Sequence, residues 1–252
     1  MRTYAHFQTD DKECPYLHDR PSRLDAHLVE SLSPLEHERL LSIGVRHFGR
    51  FYFRPSCPTC SQCISIRVPV RAFRPSRSQR RVLAKNRDVC LEVGEPKQDA
   101  ERIELYRRFH AERESTRKWA PSGMDELEYL QSFVESPVKT LELCYRLGGR
   151  LVAVAYVDET PMSWSSIFGF WEPELRKRGL GTLDVLREIE EASRRGMEHL
   201  YLGYYVRGCL SLEYKRTFRP CELLRDGRWA PDDGTEPADR RQEPQSEGLK
   251  CE

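Results

Sequence analysis

Residues 165–205 read SSIFGFWEPELRKRGLGTLDVLREIEEASRRGMEHLYLGYY and contain, in order, a strand, a glycine loop, a helix and a second strand. The helix is indicated by four apolar residues at helical spacing: Leu180, Leu183, Leu186 and Ile189. Gly196 is a typical helix stop, so the pattern predicts a helix over 180–195. This order of elements favours an α/β (α+β) fold.

The loop before this helix carries the pattern Arg176-x-x-Gly179-x-Gly181. Glycines let a phosphate approach the backbone closely, and the amides of a helix N-terminus favour an anion. The alternative is that both glycines serve only a tight turn. In its context the loop resembles that of the Gcn5-type N-acyltransferase fold, where it holds the pyrophosphate of an acyl-CoA. The resemblance implies a mixed sheet flanked by helices. We expect a small cysteine-containing N-terminal region in addition to it.

Other elements are predicted on both sides of this unit. Residues 1–30 are polar and are expected to be irregular. A capping box from Ser33 to Glu36 opens a short helix, and a Gly148-Gly149 turn predicts a hairpin.

These elements suggest three regions. We expect a Cys/Arg-rich N-terminal region over 1–98 and an acyltransferase-like domain over 99–229. Residues 230–252 contain seven acids, three bases and almost no aliphatic residues, which predicts a disordered acidic tail.

The stretch RPSCPTCSQCISIR over 54–67 contains a C-x2-C-x2-C run made of Cys57, Cys60 and Cys63. Thiolates at this spacing can converge on zinc or on an iron–sulfur cluster. Either group normally needs a fourth ligand, for which Cys14 is the nearest candidate and His18 the second. Reduced, partly buried thiols without a metal are the alternative, and the spacing alone does not choose among the three.

Residues 64–87 carry eight basic residues and no acid. Uncompensated charge at this density destabilises a fold by self-repulsion, so an anionic partner is expected to meet it. The interleaved Ser, Gln and Asn can bond phosphate and sugar oxygens. A solvated charged face is the alternative interpretation. The basic residues are Arg67, Arg71, Arg74, Arg77, Arg80, Arg81, Lys85 and Arg87.

Residues 204–223, YYVRGCLSLEYKRTFRPCEL, place Lys215, Arg216 and Arg219 close to Tyr204, Tyr205 and Tyr214. Aromatic rings and cations together suit the end of a nucleic acid, through stacking and phosphate contact. The alternative is a strand whose aromatic residues fill the core.

Together these stretches resemble the aminoacyl-tRNA–protein transferases of the N-end rule pathway. The resemblance covers about residues 13–229, and its most specific element is FRPSRSQRR at 73–81. The family commonly has a Lys-Arg pair where this chain has Ala84-Lys85, and LSLE at 210–213 lacks a basic residue often found there. The stretches that carry the resemblance are CPYLHDR, FRPSCPTCSQC, FRPSRSQRR, WEPELRKRGLGTLDVLREIE, YLGYYV and EYKRTFRPCEL.

The resemblance implies transfer of an amino acid from the 3′ end of aminoacyl-tRNA to the α-amine of proteins beginning with Asp or Glu. Leucine is the favoured donor, and arginine is the alternative. In this family the tRNA terminus lies where CoA would bind. Some members carry an iron–sulfur cluster on N-terminal cysteines, so the candidate metal ligands are Cys14, Cys57, Cys60 and Cys63.

The transfer does not need a strong general base, because the donor is an activated ester and the pKa of an α-amine lies near 8. We therefore expect that transfer requires no cofactor and that positioning supplies most of the rate. Candidate catalytic residues are Tyr204, Glu213, Tyr214 and Lys215. Candidate residues for tRNA and acceptor binding are Arg67, Arg74, Arg77, Arg80, Arg81, Lys85, Arg176, Gly179, Gly181 and Arg219.

The composition of the chain argues against a secreted or membrane protein and indicates the kind of ligand. The 33 arginines outnumber the 8 lysines, which suits phosphate or carboxylate ligands. The start lacks a signal-type apolar segment, no apolar run is long enough for a membrane span, and the odd cysteine count does not fit a secreted disulfide framework. A cytoplasmic protein without a membrane partner is predicted. Two alternatives stay open: an acyl-CoA-dependent N-acetyltransferase, and a non-enzymatic metal-containing module that binds nucleic acid.

Overall fold

The structure, a computed structural model, describes residues 1–18 and 20–235. Within these residues the strands are β1 (Arg2–Gln8), β2 (Lys12–Glu13), β3 (Pro21–Ser22), β4 (Leu24–Ser31), β5 (Arg46–Phe48), β6 (Phe51–Pro55), β7 (Ile64–Pro69), β8 (Val89–Gly94), β9 (Thr140–Leu147), β10 (Arg150–Glu159), β11 (Ser163–Trp171), β12 (His199–Tyr205), β13 (Glu222–Arg225) and β14 (Arg228–Pro231). The α-helices are α1 (Pro34–Ser42), α2 (Arg77–Lys85), α3 (Ala100–Arg117), α4 (Glu126–Tyr129), α5 (Leu180–Arg194) and α6 (Leu210–Glu213).

Eight strands form the main sheet, in the order β14-β13-β7-β12-β11-β10-β9-β8. Neighbouring strands are antiparallel except β11 and β12, which α5 connects as a parallel pair. Apolar residues of α5 pack on one face, and those of α3 pack on the other. The predicted mixed sheet flanked by helices is therefore confirmed.

The main sheet draws strands from both sides of residue 98. β7 and β8 lie within 1–98, and β7 pairs with β12 and β13 while β8 pairs with β9. The predicted disordered tail includes residues that are ordered, since Ala230 lies in β14 and Asp232 is ion-paired with Arg216. Residues 236–252 lie outside the described residues.

A second sheet, in the order β1-β4-β6-β5, occupies the N-terminal region. The expectation that residues 1–30 are irregular is wrong, because β1 and β4 pair antiparallel along nearly their whole length. Every residue of β1 is exposed, so its polar composition reflects a solvent-facing edge strand. The predicted capping box of α1 and the predicted 140–158 hairpin are both present.

A buried polar triad joins the two sheets. His47 Nε2 lies 2.5 Å and His37 Nε2 3.1 Å from the same Asp158 carboxylate oxygen, and the other oxygen accepts a bond from Thr140. The imidazoles of His47 and His37 hold the pKa of Asp158 well below its usual range despite its burial. Because the histidines lie on β5 and α1 and Asp158 on β10, this contact fixes the N-terminal sheet to the main sheet.

Candidate active site

The parallel pair β11–β12 opens part of the way along its length. The two strands pair only where residues 163–165 of β11 lie beside residues 199–201 of β12. Beyond this point β11 changes from buried to partly exposed over residues 166–169, while β12 continues beside β7. We call the opening between 166–169 and 202–205 the strand cleft. It leaves one edge of β11 available to a ligand.

Two cations occupy the base of the strand cleft. Arg46 donates from Nη2 to the carbonyl of Ser166, and Lys215 Nζ donates to the carbonyl of Tyr204 over 3.2 Å. A Cβ on Gly203 would lie 3.4 Å from Lys215 Nζ and 3.6 Å from Arg46 Nη2, which are ordinary contact distances, so glycine is favoured here by its φ of +82°. Burial, and then the charge of Arg46, lowers the pKa of Lys215 to about 7.

Two buried carboxyl groups lie beside these cations. Asp184 and Glu188 stand one turn apart on α5, and the Tyr145 hydroxyl donates to Asp184 over 2.8 Å. Neither oxygen of Glu188 has hydrogen-bond geometry with a described residue, although the Ser166 hydroxyl is close enough to lower its pKa. Burial raises the pKa of both carboxyls, and the charge of Asp184 raises that of Glu188 further.

Tyr214 enters this cluster from the surface. The residue is 37% exposed, yet its hydroxyl is buried near Asp184, Glu188 and Arg113, and burial raises its pKa. The hydroxyl therefore keeps its proton at neutral pH. Of the four candidate catalytic residues, Tyr214 and Lys215 reach the cluster through their side chains.

The other two candidates have local partners. The Tyr204 hydroxyl is buried and donates to the carbonyl of Gly44 over 2.9 Å, so Tyr204 meets the cluster only through its own carbonyl. The Glu213 carboxylate accepts the Gly208 amide over 2.7 Å and stabilises the turn before α6.

Most of the predicted basic surface lies on or beside α2. This helix begins with a capping box formed by Ser76 and Gln79, and Gln79 also donates to the carbonyl of Thr217. The helix thus flanks the segment that carries Tyr214 and Lys215. Five candidates are exposed, and none of them forms an ion pair with an acid among the described residues: Arg74, Arg77, Arg80, Arg81 and Lys85.

Arg67 and Arg219 differ from these five because each has an acidic partner. Arg67 donates to Glu222 over 2.7 Å and lies 4.4 Å from the Trp229 ring centroid. Arg219 donates to Asp232 over 2.9 Å. Both charges are therefore partly neutralised within the fold.

The glycine loop opens α5 as predicted. Gly179 has φ +71°, a left-handed conformation that favours glycine, and no side chain caps the helix. A Cβ on Gly181 would lie 2.6 Å from the Trp171 ring, so this glycine is required by packing. Arg176 is exposed next to the loop.

The N-terminal cysteines gather in one region without forming a zinc tetrahedron. Burial raises the pKa of Cys63, and the neighbouring Cys14, Cys57, Cys60 and Cys209 raise it further. Among the described residues, no three cysteine sulfurs lie within 4.8 Å of one another. Sulfurs about 2.3 Å from one zinc ion would be closer than this. His18, the second candidate for a fourth ligand, bonds with Glu13 over 3.2 Å instead.

Sequence reasoning missed three residues of the cluster: Arg46, Asp184 and Glu188. Asp184 and Glu188 belong to a helix whose apolar face was recognised, and their four-residue spacing was the available signal. Arg46 carried no signal, because its neighbour Ser166 is 120 residues away in sequence.

The mixed sheet and the strand cleft define an N-acyltransferase-type fold. Among solved structures the chain is similar to FemX, with a TM-score of 0.50 and 8% identity over 80% of this chain and 69% of that one. This likeness concerns the fold alone.

Two family models match most of the chain. They are described as arginine-tRNA-protein transferase, N terminus, at residues 12–81, and C terminus, at residues 101–225. The chain belongs to this family. It is 36% identical to a Marinobacter nauticus protein named aspartate/glutamate leucyltransferase, over 91% of this chain and 96% of that one. A Campylobacter jejuni protein of the same name is 33% identical over 87% and 92%, respectively. No helix in the described residues could span a membrane.

Proposed function

We propose that this protein transfers leucine from leucyl-tRNA to the α-amine of proteins that begin with Asp or Glu. The observation that carries the proposal is the similarity to aspartate/glutamate leucyltransferases along about nine-tenths of both chains. We further propose that the product is marked for degradation and that the reaction takes place in the cytoplasm, where charged tRNA occurs.

The proposed reaction forms one amide bond and breaks one ester bond. The acceptor amine attacks the leucyl carbonyl, the C–N bond forms, and the C–O bond to the tRNA ribose breaks. The amine loses one proton and the ribose oxygen gains one, so the exchange is balanced without a redox partner. What the protein must supply is position, a proton acceptor and a donor to the developing oxyanion.

Lys215 is the residue we assign to proton transfer. With its pKa lowered to about 7, a large share of its side chains is neutral at neutral pH and able to take the proton that the acceptor amine loses as the C–N bond forms. The same group can return that proton to the ribose oxygen. Tyr214, whose hydroxyl stays protonated, is the proposed donor to the oxyanion.

The exposed basic residues of α2 are proposed to bind tRNA phosphates. They lie beside the segment of Lys215 and lack acidic partners in the described chain, so phosphates would meet charges that the fold leaves uncompensated. The open amides of α5 at Gly179 provide a second anion position. The side-chain carboxylate of the acceptor's N-terminal Asp or Glu is proposed to pair with one of these arginines, since Arg binds carboxylates bidentately.

We propose that transfer itself needs no cofactor. The cysteine sulfurs would have to move closer together to hold zinc, so no step is derived through a metal. An iron–sulfur cluster on Cys14, Cys57, Cys60 and Cys63 remains a separate proposal. Iron and sulfide analysis of protein purified without oxygen tests it independently of activity.

The deciding experiment measures transfer of labelled leucine or arginine from charged tRNA to peptides that begin with Asp, Glu, Asn or Ala. Leucine on the Asp and Glu peptides alone is the expected result. Transfer of arginine instead would show that the donor is arginyl-tRNA and would leave the proposed reaction unchanged. Absence of both, together with acetylation from acetyl-CoA, would overturn the proposal in favour of an acyl-CoA enzyme. The same assay is applied to Lys215→Met, which removes the proposed proton acceptor. Lys177→Met, at an exposed lysine, is its control.

A further inference from the structure

One face of the N-terminal sheet carries a row of phenylalanines. Phe7 on β1 and Phe53 on β6 both pair with Ala26 on β4, and Phe51 pairs with Phe48 on β5. Cross-strand partners point to the same face of a sheet, so all four rings share it. Their centroids lie 6.3 Å (Phe7–Phe51), 5.6 Å (Phe51–Phe53) and 6.1 Å (Phe53–Phe48) apart. We call this row the aromatic face.

The aromatic face is open to solvent over its length. Phe7 is 43% and Phe48 38% exposed, while Phe51 and Phe53 are partly exposed. Leu28, which pairs with Phe51 and shares the face, is 38% exposed. Exposed large apolar side chains that are contiguous commonly mark an interaction surface.

The aromatic face continues into the strand cleft. The Phe48 ring lies 6.2 Å from that of Phe168, which belongs to the partly exposed edge of β11. Arg46 pairs with Phe53 and so points to this same face, where it donates to the carbonyl of Ser166 in the cleft. A ligand lying on the rings would therefore run directly to the cations at the base of the cleft.

We propose that the aromatic face binds the unpaired nucleotides at the 3′ end of the tRNA by stacking and leads them to the strand cleft. This inference rests on the proposed function. The ester that reacts is attached to the terminal ribose, so the unpaired end must cross a surface that adjoins the cleft. Rings offer every base a stacking partner, whereas the phosphates of the duplex are left to the exposed arginines of α2.

The test compares two tRNAs: an intact one, and one trimmed of its unpaired 3′ end. Binding of each is measured for the full chain and for the double variant Phe7→Leu with Phe51→Leu, which keeps apolar side chains but removes two rings of the aromatic face. Met162→Ala, at a side chain 45% exposed in the turn between β10 and β11, is the control. Circular dichroism melting verifies that each variant is folded.

We expect the double variant to lose at least about fivefold in affinity for intact tRNA, in keeping with the usual effect of removing a stacked ring. Its affinity for trimmed tRNA should equal that of the unchanged protein. Equal affinity of both proteins for intact tRNA overturns the inference, as does a variant that changes only the KM for the acceptor peptide or the oligomeric state. If the unchanged protein transfers no leucine at all, the proposed function fails instead, and this result is separate from the binding comparison.

Discussion

Replacing Lys215 by methionine should make the protein more stable near neutral pH while it abolishes proton transfer. Methionine keeps most of the side-chain volume and removes an amine buried beside Arg46. The pKa of Lys215 falls from 10.5 to about 7 on folding, which at about 1.4 kcal/mol per pH unit corresponds to about 5 kcal/mol. Loss of the hydrogen bond to Tyr204 offsets about 1 kcal/mol of the gain.

The pH dependence gives the sharper test. Between pH 7 and 10.5 the unfolded chain holds a proton on this lysine that the folded protein has released, so wild-type stability rises with pH. The advantage of Lys215→Met should therefore be about 3 kcal/mol at pH 7 and should shrink by about 2 kcal/mol by pH 9. Urea unfolding of both proteins at several pH values measures this difference.

Lys177→Met provides the matched control, because Lys177 is exposed and its replacement should give a difference that does not vary with pH. A constant difference for Lys215→Met across pH 7–9, or a loss of stability throughout, would refute the reasoning. The activity assay is read separately: a rate lowered about 10²- to 10⁴-fold is expected from losing a general base.

Three further changes test other parts of the site. Asp158→Asn removes the carboxylate that faces His47 and should cost about 3–5 kcal/mol in urea unfolding at pH 7; because the folded pKa of Asp158 is depressed, wild-type stability should fall as acid titrates it. Glu188→Gln should be at least as stable as wild type at pH 7 but not at pH 4. The reason is that the raised pKa of Glu188 destabilises folded wild type only at pH values above the ordinary pKa of a glutamate, so equal melting temperature differences at both pH values would contradict this. Gly203→Ala should lose about 1–2 kcal/mol because of its φ of +82°, so a variant with an unchanged melting temperature would disprove the role of this glycine.

The elements with strong periodicity were predictable from sequence. The 180–195 helix and the 140–158 hairpin follow from repeating apolar positions and glycine turns, and the structure has both. β1 was missed because an edge strand exposed on every residue has no apolar alternation to detect, and β4 was missed because its two buried residues, Ala26 and Val29, are three positions apart and do not alternate. The partner strand of β1, rather than its own composition, determines its conformation.

The candidate site was predictable where several residues with reactive or charged side chains lie close together in sequence. Tyr214 and Lys215 stood out because cations and tyrosines cluster there, and both reach the polar cluster. Asp184 and Glu188 look like ordinary solvated residues of an amphipathic helix. Only the tertiary fold distinguishes them, because it buries the helix face on which they stand.

Two neighbouring residues of β5 explain why the N-terminal sheet is part of the site. Arg46 and His47 point to opposite faces of the strand. Arg46 donates to Ser166 at the strand cleft, and His47 bonds to Asp158 in the buried triad. The same strand thus fixes the sheet to the main fold and supplies a charge that lowers the pKa of Lys215. Burial is the larger cause of the lowered pKa of Lys215, and the charge of Arg46 adds to it, so the N-terminal sheet contributes directly to the proposed proton acceptor. The strand cleft therefore cannot be assigned to the C-terminal part of the chain alone.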